Sequence, residues 1–153
     1  MGAEVLATIP GWVTPTHEQV MDMLRALHGP AGGDHGDGQE QSAWWATDIT
    51  WSTPMSRRGG ERPVTWAEAR GECWMAVCAA AEAAPPTAQE WRLLGAAPRE
   101  TVATDPAYAH GAWEVLGWLL GERPDRPQVG GGNPSTWWWE AAQRCAQVRE
   151  RIA

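Results

Sequence analysis

The 153-residue chain contains no lysine, no phenylalanine, one asparagine, one tyrosine and four serines. Without lysine there is no Schiff-base nucleophile and no phosphate-gripping P-loop. None of Ser42, Ser52, Ser56 and Ser135 stands in a G-x-S-x-G nucleophile elbow. No stretch is apolar for the length a membrane-crossing helix needs, so no membrane span is expected. The opening MGAEVLATIPGW has neither a basic segment nor a sustained apolar one, and MGAEVL lacks the Ser or Thr of a myristoylation site. Neither a secretory signal nor an acyl anchor is therefore expected. Three cysteines are an odd number and suit a reducing compartment better than a disulfide framework, so the expected location is cytoplasmic.

Leu, Ile and Val together supply only 20 residues, an aliphatic share that borders on that of disordered chains. The net charge of −7 is modest, and twelve tryptophans replace the missing bulk. Each indole can bury roughly 150–250 Å². The length is that of one domain with its own core. The 25 Ala, 17 Gly, 12 Pro and 12 Arg point to a GC-rich coding sequence.

Capping and periodicity predict five helices. The first runs from Pro15 to His28, capped by Thr14 and stopped by Gly29-Pro30, with Val20, Met23, Leu24 and Leu27 on one face. The second opens at the box Thr65–Glu68 and runs to about Ala84. Its inner stripe holds Trp66, Ala69, Cys73, Val77, Ala80 and Ala84, with Glu68, Glu72, Ala79 and Glu82 on the opposite face. The third opens at the box Thr87–Glu90 and ends near Gly95, with Trp91 and Leu94 inward. The fourth opens at Asp105-Pro106 and closes at Gly121. Its interior Gly111 and Gly117 each cost about 1 kcal/mol against Ala, which predicts close helix contact at both. The fifth starts at Asn133-Pro134 and carries the seam Trp138, Ala141, Cys145, Val148 and Ile152.

Residues 29–41 read as a flexible Gly-rich loop and 122–134 as a Gly/Pro-rich connection. Residues 44–51 fit a short β element, with Trp45, Thr47, Ile49 and Trp51 on one face, or a helical turn. The expectation is a mainly α bundle of about five helices in a single domain, residues 1–153, with one short β element near 44–51 as an option.

Trp137, Trp138 and Trp139 stand 100° apart around a helix, so one seam cannot bury all three. With Trp44, Trp45 and Trp51 they form the candidate interaction surface, since Trp is enriched at binding hot spots. A bundle wrapping the helix on two sides is the plainer reading. His28, Asp34, His35, Asp37 and Glu40 offer metal donors, but their spacing fits no metal template and a solvated loop explains them; no metal or other cofactor is assigned. Cys73, Cys78 and Cys145 read as small core residues. His17 and His110 pair with no nucleophile in a recognisable spacing, and no E-x-x-H marks a di-iron bundle, so no catalytic residue is assigned. Arg57, Arg58 and Arg62 lie in a short RGG-like stretch between Trp51 and Trp66, a combination suited to single-stranded nucleic acid; the acidic net charge opposes it.

The segment Tyr108-Ala-His-Gly111-Ala-Trp-Glu-Val115-Leu116-Gly-Trp118-Leu119-Leu120-Gly121-Glu122 resembles one found in small uncharacterised helical proteins of high-GC actinobacteria and their phages or plasmids. The resemblance, over residues 105–122, implies helical character and source, and assigns no site. Together these features lead to an intracellular, non-enzymatic protein that binds a protein partner, or itself as a homodimer, through exposed Trp. An inhibitor of a host system carried by a phage or mobile element is one such role. The alternative is a small-molecule binder or enzyme with a pocket of Trp44, Trp45, Trp137 and Trp138, and a weaker one is nucleic-acid binding through the arginine loop.

Overall fold

A computed structural model describes residues 7–27, 33–60, 62–129 and 134–152. Six helices follow in chain order: α1 (His17–Ala26), α2 (Gly33–Ala46), α3 (Trp66–Ala80), α4 (Ala88–Leu94), α5 (Pro106–Leu120) and α6 (Pro134–Ile152). No strand occurs among the described residues. The mainly α reading holds, with six helices among the described residues in place of five.

Caps set the start of α3 and both ends of α4 and α5 as their sequences imply. Thr87 and Glu90 close a reciprocal box on α4, and Asp105 accepts from the backbone of Ala107 and Tyr108 at the start of α5. Gly95 and Gly121 end these helices in the left-handed conformation, with φ of 70° and 81°. At α1 the cap is Thr16 rather than Thr14, because Gln19 sits three residues on and answers the Thr16 N–H at 2.8 Å. Asn133, the expected cap of α6, and His28, the expected end of α1, lie outside the described residues.

Two local readings are corrected in α2. Residues 33–41, expected as flexible loop, are its first two turns. Residues 44–51 form no β element: Trp44-Trp45-Ala46 finish the helix, the Thr47 hydroxyl donates to Ala43 O at 2.7 Å, and Asp48 turns the chain at φ 68°. A Gly-rich segment is helical here because α5 supports it. A Cβ on Gly38 would overlap the Tyr108 carbonyl oxygen, and one on Gly111 the His35 carbonyl oxygen. The α2 and α5 backbones touch at these two glycines, so tertiary contact offsets the poor helix propensity of both segments.

α5 packs against α2 on one side and α3 on the other, and α6 lies across α3 and touches α5. The core runs from Val20, Met23 and Leu24 on α1 and Leu27 at its C-cap, through Trp45, Trp91 and Trp113, to Ala141 and Cys145 on α6. α3 departs from its expected two-faced pattern. Glu72, placed on the solvent side by periodicity, is fully buried and accepts from Met55 N (2.8 Å), Ser56 N (3.1 Å) and Ser56 Oγ (2.7 Å). It serves as an internal acceptor for the 53–58 loop, and burial raises its carboxyl pKa against the pull of those bonds. Trp66, expected inward, is instead exposed under the Arg70 guanidinium. α3 also stops at Ala80, and Glu82 takes a left-handed φ of 54°.

Candidate functional site: a buried histidine pair beneath an indole face

The glycine contact between α2 and α5 brings His35 and His110 together. His35 Nε2 and His110 Nδ1 lie 3.3 Å apart, and both rings are buried. Glu114, one turn beyond His110 on α5, places Oε1 2.5 Å from His35 Nε2 and 3.5 Å from His110 Nδ1. The two nitrogens and one carboxylate oxygen thus converge on one point. Burial acts to raise the Glu114 carboxyl, but hydrogen bonds from His110 and His35 outweigh it and hold its pKa at about 2.

The surroundings are equally specific. The outer nitrogen of His110, Nε2, meets Glu140 Oε1 of α6 at 3.0 Å. The Gln39 amide, fully buried on α2, donates to Gln128 O at 2.8 Å and reaches Glu114 Oε1 at 3.4 Å. Trp137 closes the cluster from α6, its ring 4.1 Å from the His35 ring and tilted by 6°, and 5.4 Å from the His110 ring. His35 Nδ1 is buried and makes no hydrogen bond to a described residue.

The expected Trp surface divides into unlike parts. Trp45 is core, Trp44 is half-buried and Trp137 covers the histidines. Trp51 (71% exposed), Trp66 (51%), Trp138 (52%) and Trp139 (57%) reach solvent. Trp51 and Trp66 each lie under a guanidinium, that of Arg62 at 4.6 Å and Arg70 at 4.4 Å. No described arginine covers Trp138 or Trp139. The Trp138 indole donates to Ala81 O at 2.9 Å, which fixes its ring at the end of α3. The same short stretch of α6 therefore seals the histidine pair with Trp137 and Glu140 and presents Trp138 and Trp139 outward.

Other expected groupings are not assembled. Trp44, Trp45, Trp137 and Trp138 do not line the cleft of about 250 Å³ between α3, α4 and α6, whose walls include Cys73, Trp74, Leu94 and Val148. Of the arginine loop, Arg62 is tied to Asp48 and Thr50 O and stacks on Trp51, leaving Arg57 and Arg58 exposed. Of the acidic histidine-bearing stretch, His35 joins the cluster; Asp34 and Asp37 face solvent, Glu40 is half-buried, and His28 lies outside the described residues. Cys73, Cys78 and Cys145 are buried free thiols, and burial raises the pKa of Cys73 and Cys78 and keeps them protonated.

No metal ligand was assigned from sequence, yet His35, His110 and Glu114 form a set of the right donor types. Two signals stand in the chain: the H-x-x-x-E spacing of His110 and Glu114 on one helix face, and glycines beside a histidine in both segments. The chain matches no known family model, no curated protein and no solved structure.

Proposed function

We propose that this chain is a non-enzymatic interaction protein that binds a different protein through Trp138 and Trp139. The observation behind this reading is the contrast among exposed indoles: Trp51 and Trp66 are covered by arginines of their own chain, whereas no described arginine covers Trp138 or Trp139, on a helix anchored through Trp137 and Trp138. A rigid aromatic pair needs little ordering on binding, and such pairs dominate interface energies. The partner is one with an apolar cleft and a basic rim, because the chain carries a net charge of −7 and no lysine. A second copy would bring the same negative charge to the interface. The buried unpaired thiols suit a cytoplasmic setting. The GC-rich composition and the resemblance of residues 105–122 fit an accessory factor of a phage or mobile element acting on a host protein.

A photo-crosslinking residue at position 139 tests this in the cell that makes the protein, with position 51 as control. The reading requires an adduct formed from 139 and not from 51. It also requires that the purified partner lose at least about 30-fold in affinity when Trp139→Ala is introduced, the scale of a hot-spot residue. Adducts equal at both positions, or a dimer of this chain as the sole product from 139, would overturn it.

A further inference from the structure

We infer that His35, His110 and Glu114 form a binding site for one divalent transition-metal ion of the zinc class, with α6 as its cover. The inference is independent of the partner proposed above. Three observations carry it.

The first is the donor geometry. Zinc holds nitrogen and carboxylate oxygen at about 2.0–2.2 Å, so neighbouring donors of a tetrahedral sphere stand about 3.3–3.5 Å apart. His35 Nε2 to His110 Nδ1 is 3.3 Å, and His110 Nδ1 to Glu114 Oε1 is 3.5 Å. The third edge, His35 Nε2 to Glu114 Oε1, is 2.5 Å and opens by about 1 Å if the Glu114 side chain withdraws. Two imidazoles and one carboxylate, with no thiolate, form a set for borderline ions such as Zn²⁺, Co²⁺ or Fe²⁺ rather than for Ca²⁺ or Cu⁺.

The second is the support around the donors. A ligating histidine commonly gives its other nitrogen to a carboxylate, which fixes its tautomer and orientation. Glu140 meets His110 Nε2 at 3.0 Å and so directs Nδ1 at the shared point. Gln39 steadies Glu114, and Trp137 stacks on His35 at 4.1 Å and holds that ring in place.

The third is what the fold gives up to build the cluster. Gly38 and Gly111 stand inside helices, where each disfavours the helix, and their lack of Cβ is what lets the α2 and α5 backbones meet beside His35 and His110. An apolar pair at positions 35 and 110 would fill the same interior without burying a carboxylate and two imidazoles. Three protein donors leave a fourth tetrahedral position for water or a ligand atom, in the manner of open zinc sites. The ion would tie α2 to α5, and Trp137 and Glu140 of α6 pack against the ligating rings.

The test uses the full chain without a polyhistidine tag, stripped with chelator and titrated with Zn²⁺ and with Co²⁺. One equivalent should bind per chain. Bound Co²⁺ should show visible ligand-field bands of a four- or five-coordinate nitrogen and oxygen site, without thiolate charge-transfer absorption. His110→Asn should weaken binding at least about 100-fold, and Glu140→Gln about 10- to 100-fold, the range for an outer partner of a ligand. His17→Ala, at an exposed histidine, should leave affinity unchanged. Saturating zinc should raise the unfolding temperature of the wild type and not of His110→Asn, read by circular dichroism so that a variant that fails to fold is recognised. If His110→Asn misfolds, Glu114→Gln, which keeps the shape of the side chain, replaces it with the same expectation. No binding by the folded wild type, thiolate bands from Co²⁺, or unchanged affinity in a folded His110 or Glu114 variant would overturn the site and leave the cluster a hydrogen-bonded network alone.

Discussion

The two interfaces of α5 and α3 solve the same packing problem with opposite chemistry. Between α2 and α5 the backbones meet through Gly38 and Gly111, and polar groups fill the adjoining space: His35, Gln39, His110 and Glu114. Between α3 and α6 the contact includes small buried residues, Cys78 against Cys145, and the polar work is moved to the edge, where Arg149 binds Glu90, Ala84 O and Pro85 O. The first arrangement is specific and intolerant, because backbone cannot yield. The second is adaptable, because side chains can. An interior that keeps the intolerant arrangement around ionisable groups is more readily explained by a site than by stability alone, since buried polar clusters of this kind seldom stabilise more than an apolar core of the same shape.

The largest effect is therefore expected at the glycine contact. Gly111→Ala places a Cβ against the His35 carbonyl oxygen, a backbone atom with nowhere to go. The gain in helix propensity of about 1 kcal/mol is outweighed by overpacking, for a net loss of about 2–3 kcal/mol in chemical denaturation. A neutral or stabilising result would mean that α2 and α5 do not touch there. The same substitution at Gly117 is the internal control. Its neighbours are the Arg123 stem at 3.0 Å and the Trp113 ring at 3.4 Å. It should change stability by less than about 1 kcal/mol, because a flexible arginine stem can move.

The other interface fails in a different way. Arg149→Ala removes charged hydrogen bonds to Glu90 and to the last carbonyls after α3, and should cost about 2 kcal/mol at neutral pH. The loss should depend on pH. Burial acts to raise the Glu90 carboxyl, but bonds from Arg149 and Trp74 outweigh it and lower its pKa below the ordinary value. A lowered folded pKa means that the stabilisation is present above the unfolded pKa and disappears as pH falls through the folded one. The gap between wild type and Arg149→Ala should thus narrow as pH falls below the ordinary Glu pKa of about 4.3 and through the lower folded one, down to what the Ala84 and Pro85 carbonyl bonds contribute. A gap that stays constant into acid would show that Arg149 acts through the carbonyls and packing, and not through Glu90.

These contrasts also mark what could be read from sequence. Caps built from neighbouring residues were legible: Thr87 with Glu90, Asp105 with Pro106, and Gly95 and Gly121 beyond the helix ends. Their physics is local, and the structure repeats it. Residues 33–46 were not legible, because their helicity depends on Tyr108 and Gly111, some seventy positions away, and glycine propensity alone argues for loop. Glu72 was misplaced for the same reason: periodicity sees a charged residue on a helix, not the donors of Met55 and Ser56 that meet it. The histidine pair escaped because its partners are 75 residues apart in the chain. Gly111 had pointed to a close contact, and only its partner was missing, whereas Gly117 gave the same signal and meets a side chain instead of a helix.

The smallest effect on folding is expected where the functional effect is largest. Trp139 is 57% exposed and its side chain makes no hydrogen bond to a described residue, so Trp139→Ala should change stability by less than about 0.5 kcal/mol, the ordinary range for surface positions. Trp138→Ala should cost about 1 kcal/mol, since its indole N–H is bonded to Ala81 O. Trp137→Ala should cost more than either, because it uncovers His35 and His110. This order, 137 above 138 above 139, separates an inward ring from an outward pair on three consecutive positions of one helix. If Trp139→Ala proved the most destabilising of the three, the outward face would be part of the protein's own packing, and nothing would remain there for a partner to bind.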